Sequence, residues 1–363
     1  MRKTLFLVLS VMFLLTASLP ASGQVLRAIE PFKLGTFDID GNVGVGIVLR
    51  DRFVVQLNAA NRDLERRPTT VRLGMPADMR DLIGRYEYGM QRRIYEIVNT
   101  LVGENRLEGP QKPRYIHDIG NVRTLAPILY PSKMLNAAVN YYGHVDESSP
   151  PEVQRQAAEA RRKDRGVPYL FMKPTMGAII GNGDDIVLPR GRNQIDWECE
   201  LGVVIGRPTK YVKASSTGPY IFGYTIQLDM SDRGGRPAPS QFNSDWFIGK
   251  GHDTFAPMGP VIVPKEFVKD PMNLSQKLWV NDTLMQDGNS SDMIHTIHEL
   301  IEYASSIMTL FPGDVIAAGS PAGTGMSRSV RPEQVFLKPG DKIRATIEGI
   351  GTLNHTVRAD RAN

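Results

Sequence analysis

The densest group of chemically capable side chains is Asp196-Trp197-Glu198-Cys199-Glu200, which runs into the aliphatic stretch Leu201-Gly202-Val203-Val204-Ile205. On a strand, residues two apart share a face, so Asp196, Glu198 and Glu200 would line one side and Ile195, Trp197 and Cys199 the other. Three carboxylates that close repel one another unless water or a cation separates them. The aliphatic residues that follow lead the strand into a core, which favours the cation. Carboxylate ligands alone point to Mg²⁺, Mn²⁺ or Ca²⁺ and away from zinc. Asp229 closes a second apolar run, Ile221–Leu228. Taken alone, it is either a further oxygen ligand for that site or an ordinary aspartate in a turn.

Two other segments carry proton chemistry. In Asn140-Tyr141-Tyr142-Gly143-His144-Val145-Asp146-Glu147, His144 precedes Glu147 by three residues. On a helical turn a carboxylate at that spacing can orient an imidazole and raise its basicity, and such a pair can take a proton from water. The plainer alternative is a surface histidine near acids. Lys250 sits between glycines in Gly249-Lys250-Gly251-His252-Asp253-Thr254. Its ammonium could meet a carboxylate or enolate oxygen, or it could be a simple loop lysine.

Several other patterns fail on spacing. His295 and His298 lack the His-Glu-x-x-His order of zinc proteases and are expected to face solvent or a subunit contact. Gly319 to Gly325 resembles a phosphate loop but has no Lys-Ser/Thr after it. Gly44-Val45-Gly46 has Leu49 where a dinucleotide fingerprint needs its third glycine. There is no Gly-x-Ser-x-Gly elbow. Cys199 lies between two carboxylates, which disfavour a thiolate.

The elements that must position these residues are mostly strands. Asn42 to Leu57 reads as a hairpin turning at Arg50-Asp51. Ala77 to Leu101 has helical spacing, with Leu82, Ile83, Tyr86, Met90, Ile94, Ile97 and Leu101 on one face and Arg80, Arg85, Arg92 and Arg93 on a solvated one. Residues 24–130 are therefore expected to form a small α+β domain. From Pro131 onward, short β-like runs alternate with loops rich in Gly, Pro and Asp, and residues 131–363 form the domain that carries the chemistry. Two helices interrupt it. One is charged, Glu152 to Arg165; the other is amphipathic, Asp292 to Phe311, with Ser291 as N-cap and Pro312-Gly313 as stop. The fold class is α+β, mostly β.

Composition narrows the rest. The chain has 363 residues, 41% hydrophobic and 23% charged, the balance of a folded protein. Residues 1–23 have the three parts of a secretory signal peptide: Arg2 and Lys3, the apolar run Leu5 to Leu15, and Ala21-Ser22-Gly23. Cleavage there implies a periplasmic or secreted protein with no membrane attachment. It also removes two cations and no anions, taking the formal charge from +4 to +2. That small, dispersed excess gives no footprint for nucleic acid. Cys199 is the only cysteine, so the fold relies on its core and not on disulfides.

In order and spacing, the motifs resemble the fumarylacetoacetate hydrolase family over roughly residues 125–357. The resemblance runs through Asn140-Tyr141-Tyr142-Gly143-His144, Phe171-Met172-Lys173-Pro174, Asp196 to Leu201, and Gly223-Tyr224 to Asp229. It continues with Lys250-Gly251-His252-Asp253-Thr254-Phe255-Ala256-Pro257, Leu310 to Ile316, Gly319 to Gly325, and Lys338-Pro339-Gly340-Asp341. It implies a mixed β-roll, usually a homodimer, with Glu198, Glu200 and Asp229 holding Mg²⁺ (or Mn²⁺ or Ca²⁺). It implies His144 and Glu147 as the water-activating pair and Lys250 and Thr254 on the oxyanion side. Thr324 would meet a substrate carboxylate, with Tyr142 lining the pocket and Asn140 and Lys173 matching pocket-side positions more loosely. Arg233 falls at a substrate-binding place among neighbours that imply a changed pocket. The implied reaction is hydrolytic C–C cleavage of a 1,3-dicarbonyl acid such as an acylpyruvate. Decarboxylation, isomerisation or hydration of a 2-oxo acid could run at the same site, and an exported oxo-acid-binding protein is the non-catalytic alternative.

Overall fold

The computed structural model describes residues 26–238, 245–327 and 333–360. The expected signal peptide lies outside the described residues. Two neighbouring strands, Cys199–Ile205 and Ile221–Leu228, are buried along their whole length, as expected of apolar runs covered on both faces. They pair antiparallel, from Cys199 opposite Leu228 to Ile205 opposite Ile221. Each large aliphatic side chain they bury contributes roughly 1.5–3 kcal/mol.

The main sheet extends from this pair in both directions. On one side come Ala256–Pro264, Phe32–Ile39, Asn42–Leu49, Phe53–Gln56 and Ile116–Asp118; on the other come Val315–Ala317, Met134–Ala137 and finally Leu170–Lys173 at the edge. Most pairings are antiparallel, but Val315–Ala317 runs parallel to Met134–Ala137. A second, five-stranded sheet contains Thr283–Asn289, Ser275–Val280, Lys342–Ile347, Gly351–Ala359 and Ile186–Leu188. Its strands Ser275–Val280 and Lys342–Ile347 alternate buried and more exposed residues, the mark of one face on the core. The result is the mixed, mostly β α+β roll that the sequence implies. Leu34 pairs with Ile262, so the strands of the first hundred residues and those of the later part share one sheet. The boundary drawn after residue 130 falls within that shared sheet.

The hairpin turns at Arg50 and Asp51, whose φ values of 55° and 51° suit the right-handed twist of its strands. Three helical expectations need correction. The stretch from Ala77 is not one helix: Met79–Arg85 and Met90–Gly103 are separated by a 3-10 turn and by Gly89 at φ 117°. Arg93 is not solvated: it is buried and donates to Asn61, Glu65, Glu96 and the Val71 carbonyl. The amphipathic helix spans Ile297–Ile307 and begins at a Thr296–Glu299 capping box, after a separate 3-10 turn at Ser290–Asp292. The charged helix, Pro151–Lys163, buries none of its residues, as its composition predicts. Among the described residues no helix is long and apolar enough to cross a membrane.

Candidate metal and proton-transfer centre

Glu200 leaves the centre of the main sheet on Cys199–Ile205, and Asp229 follows directly on its partner strand Ile221–Leu228. Glu198 lies in a gap, because the chain leaves the sheet pattern at Trp197-Glu198 between Ile195–Asp196 and Cys199–Ile205. One oxygen from each of Glu198, Glu200 and Asp229 lies within 4.8 Å of the others, and all three residues are buried. Asp196 does not join them. The break turns it toward Arg233, whose Nε donates to it at 2.9 Å.

Three cations press on this cluster. Lys250, at the end of the short helix Trp246–Lys250, donates to Glu198 at 2.8 Å, to Asp229 at 2.7 Å and to Ser231 Oγ at 2.6 Å. Lys173 donates to Asp229 and, at 2.9 Å, to the Met230 carbonyl. Arg233 bridges Asp196 and Glu198. Burial opposes the charge of Glu198, but Lys250, Arg233 and His144 outweigh it and hold its carboxyl well below the usual range. Burial, together with the Lys250 charge, brings Lys173 down to about 8 despite Asp229.

Glu200 is treated differently. Its described hydrogen bond is with the Gly319 N–H, at 2.9 Å. Burial and the charges of Asp229 and Glu198 hold its carboxyl well above the usual range. A divalent cation among these oxygens would reverse that cost, and hard oxygen donors suit Mg²⁺, Mn²⁺ or Ca²⁺. The donor set therefore fits such an ion.

His144 and Glu147 meet beside the carboxylates. His144 ends a 3-10 turn, Tyr142–His144, and its Nδ1 lies 2.8 Å from Glu147 Oε1. Its Nε2 lies 3.7 Å from Glu198 Oε1. Glu147 is buried and also accepts from the Thr324 hydroxyl and, at 2.8 Å, from the Gly323 N–H. Burial alone would raise its pKa; His144, Thr324 and Gly323 reverse this and keep it an anion. The anion in turn raises the pKa of His144 against the effect of burial. An ionised Glu147 takes the Nδ1 proton as a hydrogen bond, which leaves the Nε2 lone pair of neutral His144 toward the cluster.

Thus the chain brings Glu198, Glu200, Asp229, His144, Glu147, Lys250 and Arg233 together. Thr324 is among them, but its hydroxyl serves Glu147. Tyr142 borders the centre, half-buried, with the Arg162 guanidinium 4.0 Å from its ring centroid. The Thr254 hydroxyl is engaged elsewhere, accepting from the Val187 N–H at 2.9 Å. Asn140 supports the backbone, donating to the His295 and Ala318 carbonyls. Burial, with Glu200 adding to it, pushes the Cys199 thiol up, consistent with an inert cysteine. His295 is not solvent-facing but buried against the Arg165 carbonyl, and His298 meets the Thr217 hydroxyl at 2.6 Å.

Ser231, which receives Lys250, escaped the sequence reading. The glycine-rich loop Gly319 to Gly325, no phosphate loop but part of the family resemblance, uses its N–H groups to hold Glu200 and Glu147. That role of its N–H groups had no signal in the sequence, since a backbone donor has no residue type of its own.

Comparisons with known proteins place the chain in a family. A family model described as the fumarylacetoacetate (FAA) hydrolase C-terminal domain matches residues 133–358. The chain is 37% identical over 236 residues to the mitochondrial oxaloacetate tautomerase FAHD2B of Bos taurus, covering 65% of this chain and 69% of that one. Maleylpyruvate hydrolase from Sphingobium sp. SYK-6, solved in complex with manganese(II) ion and pyruvate, superposes with a TM-score of 0.65 at 27% identity, covering 91% of this chain and 100% of that one. The 5-carboxymethyl-2-hydroxymuconate delta-isomerase from Mycobacterium smegmatis superposes with a TM-score of 0.60 at 28% identity, covering 90% of this chain and 100% of that one.

Proposed function

The chain belongs to the fumarylacetoacetate hydrolase family, and on that premise we propose that it is a divalent-metal-dependent enzyme that hydrolyses a C–C bond in 1,3-dicarbonyl 2-oxo acids. The observation that carries this reading is the pair of half-buried His144 and buried Glu147, 2.8 Å apart, with the second imidazole nitrogen 3.7 Å from a carboxylate of the acidic cluster. An ion held by Glu198, Glu200 and Asp229 would supply Lewis acidity to the oxo and carboxylate oxygens of such a substrate. His144 Nε2 takes a proton from water while Glu147 stabilises the imidazolium that forms. The hydroxide adds to the carbonyl distal to the carboxylate. The C–C bond then breaks, with its electron pair passing into an enolate. Lys250, whose three N–H groups now meet Glu198, Asp229 and Ser231, would donate to that enolate oxygen in exchange for one of these partners. The proton that His144 took from water returns to the enolate carbon, which completes a 2-oxo acid and a second carboxylic acid and restores neutral His144.

The test is product analysis on a panel of acylpyruvates and other 2-oxo acids, with and without Mg²⁺ or Mn²⁺. Two acid products that appear only with metal, and vanish in His144→Ala, support hydrolysis. A second reading, keto–enol tautomerisation of an oxo diacid, is favoured by the relative named as an oxaloacetate tautomerase. It needs the same cluster but leaves the carbon skeleton intact, so enol consumption without new acids would select it. The reading also takes residues 1–23 as an export signal and the enzyme as a homodimer. A mature N-terminus at Gln24 outside the cytoplasm and a dimeric mass in light scattering are the expected results.

A further inference from the structure

Two short elements lead from the acidic cluster to solvent, and both are aromatic along the way. On the edge strand Leu170–Lys173, Lys173 is 2% exposed and reaches Asp229, and Phe171, two residues back, is half-buried; Tyr169, just before the strand with its carbonyl still accepting from the Ala138 N–H, is 53% exposed. That is the period-two pattern of one strand face. On the helix Trp246–Lys250, Lys250 is 6% exposed at the carboxylates, and Trp246, one turn earlier on the same side, is 38% exposed. The two series meet. The Trp246 ring centroid lies 4.7 Å from that of Phe171 and 5.3 Å from that of Tyr169. Lys250 Nζ lies 5.3 Å from the Phe171 ring centroid.

The wall thus has cations and carboxylates at its inner end and three touching rings at its outer end. A strand rises about 3.3 Å per residue, so the ladder from Lys173 to Tyr169 spans roughly 13 Å, a length that matches a short oxo-acid head followed by one ring. We propose that Phe171, Trp246 and Tyr169 are specificity-determining residues that select a 2-oxo acid bearing an aryl group at its distal end. The charged head is held at the cluster, while the aryl group packs on the aromatic wall by offset or edge contact. This inference rests on the functional reading above and adds the substrate class. It separates this chain's expected preference from that of an enzyme for a small diacid, whose second charged end such a wall would not favour.

The experiment uses the Mg²⁺-loaded full chain and two probes, a 2,4-dioxo acid ending in phenyl and its methyl-terminated counterpart. Their dissociation constants and kcat/KM are compared in wild type, Trp246→Ala and Trp246→Phe, with Mn²⁺ affinity and melting temperature reporting that each variant is folded. Wild type is expected to favour the phenyl compound by about tenfold or more, the scale of one aromatic contact in a binding pocket. The ratio should fall toward unity in Trp246→Ala and recover in part in Trp246→Phe. Equal use of the two probes by wild type, or a ratio unchanged in Trp246→Ala, overturns the proposal while leaving the oxo-acid reading intact. A Trp246→Ala chain that loses a dimer but keeps its phenyl preference assigns the wall to a second copy and also overturns it. If neither compound binds or reacts with any metal, both readings fall together.

Discussion

Glu147 collects three donors in a buried place: the His144 imidazole, the Thr324 hydroxyl and the Gly323 N–H. That much hydrogen bonding makes the carboxylate an anchor for the imidazole and not an acid in its own right. Glu147→Gln would remove the charge that raises His144 while keeping nearly the same shape. Turnover should fall by about 10²–10⁴-fold, the range for a disabled general base, while Mn²⁺ affinity stays at the wild-type value. Steady-state kinetics beside a Mn²⁺ titration check both halves; a joint loss would mean that Glu147 acts on the metal centre. At this scale the sequence spoke clearly where identity and spacing sufficed. Spacing of two marks Glu198 and Glu200, but with Asp196 beside them; spacing of three marks His144–Glu147 only as one of two alternatives, and the roles of these residues come from the family resemblance. The partner of Asp196 was not legible, because the strand breaks at Trp197-Glu198 and sends its side chain to Arg233.

The loop Gly319 to Gly325 supports the site mainly through its backbone. Gly319 and Gly323 hold positive φ values of 90° and 105°, and their N–H groups hold Glu200 and Glu147. The loop is tied down by buried Trp197, whose Nε1 donates to the Gly323 carbonyl at 3.2 Å. A Cβ on Gly323 would run into the Met285 carbonyl, on the neighbouring strand Thr283–Asn289. Gly323→Ala is therefore expected to cost roughly 3 kcal/mol or more in urea unfolding and to cut turnover, because the strained backbone and the clash push the loop, and with it the N–H that Glu147 accepts from, out of place. An alanine variant of wild-type stability would contradict this placement. The strands were readable from their apolar runs. Helix ends were less so: Gly89 breaks a pattern that the apolar residues carry straight through, and the Thr296–Glu299 capping box outcompetes Ser291 as a start.

Across the whole molecule, the later strands close around buried histidine as well as buried acid. His355, on Gly351–Ala359, is 3% exposed, and its Nδ1 lies 2.9 Å from the Asp184 carbonyl. Burial lowers its pKa from the ordinary 6.5, and the Asp184 carbonyl offsets this only in part. Below about 6.5 the unfolded chain therefore binds a proton that the folded chain resists, so stability drops as pH falls through that region and recovers as it rises. Urea unfolding at pH 7.5 and 5.5 should show a smaller drop in His355→Asn than in wild type; equal drops would contradict a neutral, buried His355. The joining of the first strands to Ala256–Pro264 was hidden from the sequence, since a pairing between residues more than two hundred apart leaves no local pattern.

The account depends on Glu198, Glu200 and Asp229 sharing one hard cation. Diffraction from a crystal equilibrated with Mn²⁺, measured at the manganese absorption edge, tests this most directly. The expected map has one anomalous peak per chain within about 2.3 Å of an oxygen from each of the three residues. A map with no peak there, or with the peak at other side chains, would contradict it.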